Sequence, residues 1–262
     1  MVFEMKKKPL WFYPVSFLTI ALFLVIWQLY TDILQLVSPR SLPSPVQVFA
    51  VFIEKLYTRA PDGATLGVHL LASLQVSLSG YTLGVLVGTP LGILMAWYGA
   101  VDRHVRPIFD LLKCIPGVAW VPLMLILFGI GISSRIAVIF MASLIPCILN
   151  SYAGIRQTKE VHFWVARTAG ASDFQMLTTL GVPTALPYII QGMRVAIGSS
   201  WVTIVAAEML ASNRGLGFMI QLARGMSRPD LIIVGMLTIG AVGLVLTFLL
   251  SLVERIVVKG RE

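Results

Sequence analysis

Residues 165–183 read "VARTAGASDFQMLTTLGVP", the most polar sustained stretch in the second half of the chain. Val161, Trp164, Val165, Thr168 and Ala169 fall on one face of a short helix that Gly170 is placed to end. Ser172 followed by Gln175 has the spacing of a capping box that opens a second helix, which Gly181 and Pro183 close. The stretch therefore predicts a folded helix–turn–helix element. Apolar runs of membrane-spanning length flank it on both sides, so it joins two spans.

The whole chain fits that setting. Its 262 residues are 57% hydrophobic and 12% charged, with a mean hydropathy of +0.87. A soluble domain carries about twice that share of charge. The sequence is that of a polytopic membrane protein, one domain over residues 1–262. The net charge of +8 sits in short segments flanking apolar runs, where membrane topology accounts for it and nucleic acid is not needed as a partner. Cys114 and Cys147 lie in apolar segments without a ligand at metal-binding spacing. His69, His104 and His162 are scattered near span ends or in loops. No catalytic residue and no metal site is expected.

Six segments approach the ~20 apolar residues a bilayer core needs: residues 10–31, 66–97, 107–130, 134–153, 185–210 and 231–253. Lys6, Lys7 and Lys8 precede the first, which lacks a cleavage pattern and reads as a retained helix. An even number of spans puts both termini on one side. That side holds Lys6, Lys7, Lys8, Arg103, Arg106, Lys113, Arg156, Lys159, Arg167, Arg255, Lys259 and Arg261. The other holds Arg40, Lys55, Arg59, Arg135, Arg214, Arg224 and Arg228. The excess places both termini, and the loop at 159–183, in the cytoplasm.

Three further patterns constrain the bundle. Ser44 is placed as an N-cap with Pro45 at the first helical position, and Val46, Phe49, Phe52, Ile53 and Leu56 then share a face opposite Gln47, Glu54, Lys55 and Thr58. This predicts a helix in the outer interface or one packed on the edge of the bundle. Gly80, Gly84, Gly88 and Gly92 form a smooth ridge on span two, where another backbone could approach closely, and Pro90 would bend that span. Pro107, Pro116 and Pro122 make span three a broken helix, which is tolerated at membrane depth only against protein or a water-filled cavity.

The loop also carries a family resemblance. It resembles the E-A-A, three residues, G, nine residues, I, one residue, L-P pattern of permease subunits of binding-protein-dependent ABC importers. Gly170 takes the glycine, Leu180 the isoleucine, Val182 and Pro183 the last pair, and Ala166 the second alanine; Trp164 and Val165 stand where the glutamate and first alanine would be. "LPSP", "PLMLILFGIG", "ARTAGAS", "GMRVAIGSSW", "VAAEML" and "RGLG" extend the similarity over nearly the whole chain. They look like the branch importing aliphatic sulfonates, taurine, nitrate or bicarbonate.

The resemblance implies an all-α integral membrane fold of the type I ABC importer class, with a first span at 10–31 and a five-helix core at 66–253. It also implies a bacterial inner-membrane location, a homodimer, two ATPase subunits that bind ATP and Mg, and an extracytoplasmic solute-binding protein. The loop at 159–183 would be the coupling helix, with Trp164, Ala166, Arg167, Gly170, Ala171, Ser172, Asp173 and Pro183 meeting the ATPase. The chain has no G-x-x-x-x-G-K-[ST] phosphate loop, so ATP hydrolysis falls to another subunit and no cofactor is expected here.

Ionisable and hydroxyl groups inside spans are candidates for the pathway. These are Asn150, Ser199, Ser200, Trp201, Thr203 and Glu208, together with Arg194, which is also close enough to the surface to snorkel. Glu208 would sit in a gate or cap the loop after span five. Arg214, Arg224 and Arg228 flank a Gly-Leu-Gly turn and are candidates for docking the solute-binding protein or drawing anions inward. Two alternatives remain open on sequence. The same importer class could carry a vitamin precursor or another small ring compound, and a channel or carrier independent of ATP would share the apolar spans.

Overall fold

The computed structural model of the protein describes residues 12–38 and 41–259. The N-terminal lysines and Arg261 lie outside the described residues, as do residues 10 and 11 of the first expected span. Every regular element described is helical. Helix α1 covers Phe12–Gln28 and continues through a π turn at Leu29–Ile33; α2 is Pro45–Tyr57, α3 Leu66–Trp97, α4 Gly99–Leu112 and α5 Val121–Phe128. Helix α6 is Ile132–Arg156, α7 Glu160–Thr168, α8 Asp173–Met176, α9 Val182–Ala211, α10 Leu216–Gly225 and α11 Pro229–Lys259.

Among the described residues, four helical stretches are long and apolar enough to cross a bilayer: Leu66–Trp97, Ile132–Arg156, Asp173–Ala211 and Pro229–Ile256. The expected third span is a broken pair, Gly99–Leu112 and Gly117–Phe128, bent by 90°. It begins before Pro107, because that proline sits within the intact helix α4, and it breaks at Pro116 instead. The N-terminal apolar helix is shorter than these four. Pro90 likewise lies within one continuous α3.

The glycine ridge decides how the bundle packs. A Cβ on Gly80 would lie 2.8 Å from the Ile136 carbonyl oxygen, one on Gly88 2.8 Å from that of Leu144, and one on Gly92 2.5 Å from that of Ile148. Helices α3 and α6 therefore touch backbone to backbone, a separation that only glycine permits at those points. Helix α9 closes on the other side of α6, where Gly154 meets Ala185 and Tyr188, and Gly192 meets Asn150. At the end of the bundle remote from the loop, Val48, Leu66, Val76, Ile139, Trp201, Ile204, Leu216, Met219 and Val234 form the main core cluster, with Trp27 of α1 packed against it.

The α2 N-terminus is built as its sequence indicates: Ser44 accepts from the Gln47 N–H and the Gln47 side chain accepts from the Ser44 N–H. Lys55 departs from the expected polar face. It is buried, and its ammonium donates to the carbonyls of Ala60 and Ala64 and pairs with Asp62 at 2.5 Å. A sequence periodicity cannot register this, because the partners come from the loop that follows.

Candidate functional site

The loop end of the bundle carries the first group of candidate residues. Gly170 takes φ +82°, a conformation that suits glycine, and there the Ala171 N–H bonds to Ala166 O and the Gly170 N–H to Arg167 O, both at 3.0 Å. Ser172 opens α8 as a capping box with Gln175, the Ser172 N–H donating to Gln175 Oε1 at 2.8 Å. Gly181 and Pro183, however, do not end this second helix. A π turn at Leu177–Gly181 carries it directly into α9, so Asp173–Ala211 is one helical stretch of 39 residues. Gly181 has helical φ, and Pro183 lies inside the continuous stretch, directly after the π turn that interrupts the regular ladder where its N–H is missing.

Met176 and Leu177 are buried and root the element, while Trp97 meets Phe163 edge-on at 5.5 Å. Outward it shows an apolar surface: Val161, Val165, Phe174 and Trp164, the last 62% exposed. Arg167 and Asp173 face each other across the Gly170 turn at 3.9 Å, both exposed, and Ser172 is exposed beside them. Ala166, Ala171 and Pro183 are half-buried.

A second group surrounds the break in the third span. Gly117 packs against Ala142 and faces the Thr203 hydroxyl, because a Cβ there would come 2.9 Å from Ala142 Cβ and 3.1 Å from Thr203 Oγ1. Beside it lies a cavity of about 460 Å³ whose lining includes Lys113, Pro116, Gly117, Ala142, Ser199, Val202 and Thr203. Other pathway candidates lie elsewhere. The Trp201 indole is buried and donates to Ile239 O at 2.9 Å, tying α9 to α11. Asn150 donates to Pro146 O at 2.9 Å on its own helix. Ser200 is buried without a hydrogen-bond partner among the described residues. Arg194 forms an ion pair with Glu254 of α11, an intramembrane partner too distant in sequence to be foreseen.

Glu208 anchors a third group at the opposite end. It is 1% exposed; its carboxyl accepts from Ser73 Oγ at 2.7 Å and from the Gly217 N–H at 2.9 Å. The Leu216 N–H bonds to the same Ser73 Oγ at 2.9 Å, so Ser73 and Glu208 together satisfy the opening amides of α10. Gly215, at φ +126°, lies against the carboxyl where no side chain fits, and its N–H donates to His69 Nδ1 at 3.1 Å. That bond leaves the His69 proton on Nε2, 3.3 Å from Asp62 Oδ2. Burial would raise the Asp62 carboxyl, but the Lys55 hydrogen bond and the neighbouring positive charge outweigh it and hold it below its ordinary range. Arg135 completes the cluster, donating to Gly131 O and Ser212 Oγ. Of the three arginines beyond, Arg214 and Arg224 are exposed and Arg228 pairs with Asp230 at 2.6 Å.

A bundle of spans, one of them broken around a cavity, with a rooted helical loop at one end, defines a membrane transport subunit. The chain belongs to the family described as binding-protein-dependent transport system inner membrane component, which matches residues 88–262. It is 39% identical to the taurine transport system permease protein TauC of Escherichia coli (strain K12), over 90% of this chain and 86% of that one. The nitrate import permease protein NrtB of Synechocystis sp. is 34% identical over 93% and 88%, and the bicarbonate transport system permease protein CmpB of the same organism 31% over 91% and 86%. The fold is that of a chain from inward-facing conformations of the MetNI methionine ABC transporter, with a TM-score of 0.61 at 14% identity, covering 72% of this chain and 94% of that one. The protein is a multi-pass inner-membrane permease.

Proposed function

We propose that this permease works as a homodimer in an ATP-driven importer and passes a small anion from an extracytoplasmic solute-binding protein to the cytoplasm. Two separate ATPase subunits bind ATP and Mg and dock on the loop at 159–183 through Trp164, Arg167 and Asp173, with both termini on the same side. The observation that carries this reading is the unbroken helix Asp173–Ala211, which joins the loop to the far end of the bundle. A rigid connection of that kind converts closure of the ATPase pair into tilting of the bundle. The anionic substrate class rests on the relatives, named for taurine, nitrate and bicarbonate. Arg214 and Arg224, exposed beyond α9, suit contact with the solute-binding protein.

The test is reconstitution in proteoliposomes with the ATPase and the solute-binding protein, measuring uptake of labelled taurine and nitrate. Uptake that requires ATP and all three components is expected. Equal uptake by the permease alone would make it an ATP-independent carrier and overturn the reading.

A further inference from the structure

The cavity at the break of the third span has an uneven chemistry. Thr31, Thr82, Thr238 and Thr247 turn their hydroxyls back onto the carbonyl four residues earlier. Thr203 is only 5% exposed and makes no such bond; its hydroxyl faces Gly117 and the cavity. Ser199, one turn earlier on α9, lines the same space, and its hydroxyl is also uncommitted. Ser199 is half-buried and the Thr203 oxygen opens onto the same space, so both hydroxyls are free to donate to whatever enters it. Lys113, at the C-terminal end of α4, is the one charged residue of the lining. Its partner Asp110, 2.7 Å away, lies outside the lining, and both members of that pair are about two-fifths exposed. An exposed pair of this kind holds its ammonium weakly.

We propose that this cavity is an anion-selective station of the translocation path, in which Lys113 sets the charge preference and the Ser199 and Thr203 hydroxyls donate to the passing oxyanion. The proposal rests on the permease reading and adds to it the residues that would meet the solute. The volume, about 460 Å³, holds a sulfonate, nitrate or bicarbonate with part of its hydration. One cation at the edge attracts an anion, and neutral donors inside let it go, the balance that conduction requires. The station lies just past the midpoint of α9, beside the packed Gly117 turn.

The charge preference can be read without knowing the natural solute. Ser199→Cys, and separately Val202→Cys, are placed in a Cys114→Ser background, leaving only the buried Cys147, in the permease assembled with its ATPase in membrane vesicles. Each is labelled with a sulfonate-bearing and with a trimethylammonium-bearing methanethiosulfonate, rates being normalised to a free thiol. The anionic reagent is expected to react roughly tenfold faster. Lys113→Gln should remove that preference, and Asp110→Asn should increase it. A ratio unmoved by Lys113→Gln, or absence of labelling at both positions throughout the ATP cycle, overturns the inference. If uptake still requires ATP in that case, the permease reading stands without it. If the ratio collapses as expected but uptake needs no ATPase, the station stands and the importer reading falls.

Discussion

Glu208 offers the sharpest test of how the outer end of the bundle is held. Truncation to alanine removes the acceptor for the Gly217 N–H and for Ser73 Oγ, and takes away the carboxyl that faces Arg135. The buried Gly217 amide is then orphaned, at about 1–3 kcal/mol. Ser73 fares better, because it still accepts from the Leu216 N–H and can turn back to a carbonyl of its own helix. The space left by the buried side chain adds to this, and the sum falls at about 2–4 kcal/mol. Glu208→Gln keeps an oxygen for the Gly217 N–H and fills the same space, so it should cost only about 1–2 kcal/mol. The assay is unfolding of the purified permease in mixed micelles titrated with SDS, followed by tryptophan fluorescence. Limited proteolysis at residues 212–215 would check that the damage is local. An alanine variant within about 0.5 kcal/mol of the parent, or a glutamine variant worse than alanine, would refute the reasoning.

Other substitutions probe separate links. Gly92→Val brings a branched side chain against the Ile148 carbonyl, so α3 and α6 must part and yield of folded permease should fall sharply, as read by size-exclusion profile. Gly170→Val meets no neighbouring atom but forces a β-branched residue to φ +82°; it should cost about 1–2 kcal/mol in micelle unfolding and lower the ratio of solute carried to ATP hydrolysed in proteoliposomes. Arg194→Glu should destabilise by setting two carboxylates together, and Glu254→Arg in the same chain should recover more than half of the loss. The folded Asp62 carboxyl is held below its ordinary range, so its contribution is present above pH ~4 and is lost as pH falls through the lowered value. The Asp62→Asn variant should start less stable, with buried Lys55 unpaired, and show a shallower loss of stability on acidification below that pH.

Much of the bundle was legible because its signals are local. Glycines at intervals of four on span two mark a smooth face, for packing or for lining a pore, and the structure packs it on α6; Ser172 with Gln175 has the spacing of a capping box. The Pro116–Gly117 break was visible as a weakness, though not its position relative to Pro107. Hidden were the contacts that join distant segments. Nothing near Glu208 in sequence points to Ser73 or His69, and nothing near Arg194 points to Glu254. A partial signal did exist: His69, Ser73 and Ser77 repeat at intervals of four and join the glycine ridge three residues before Gly80, on the same face of α3. A stripe that changes from small to polar along one buried face marks a place where another element needs hydrogen bonds. Lys55 was assigned to solvent because amphipathic periodicity treats every lysine as wet, whereas two loop carbonyls and Asp62 replace its water. The Gly181 junction differs from its sequence pattern for a related reason: a glycine and a proline two residues apart look like a stop, but a π turn accommodates the N–H that Pro183 lacks and Gly181 packs against Trp97.

The continuous stretch Asp173–Ala211 also constrains how an importer of this build would open. At 1.5 Å per residue it is about 58 Å long, so a tilt of roughly 10° at the loop would carry its far end by about 10 Å. That far end is not free within the subunit. Glu208 fastens it to Ser73 of α3 and to the first amides of α10, and the glycine contacts fasten α3 to α6 along most of their length. Helices α3, α6, α9 and α10 must therefore move together. The broken third span is held differently, by Gly117 against Ala142 and Thr203 and by a small cluster around Val121 and Val138. A tilt driven from the loop would thus leave the bundle of the subunit intact, with the Gly117 turn as the point where the cavity beside Thr203 is squeezed or released. On that account the weak joint in the chain is the break at Pro116, and substitutions that stiffen it should slow transport without loosening the bundle.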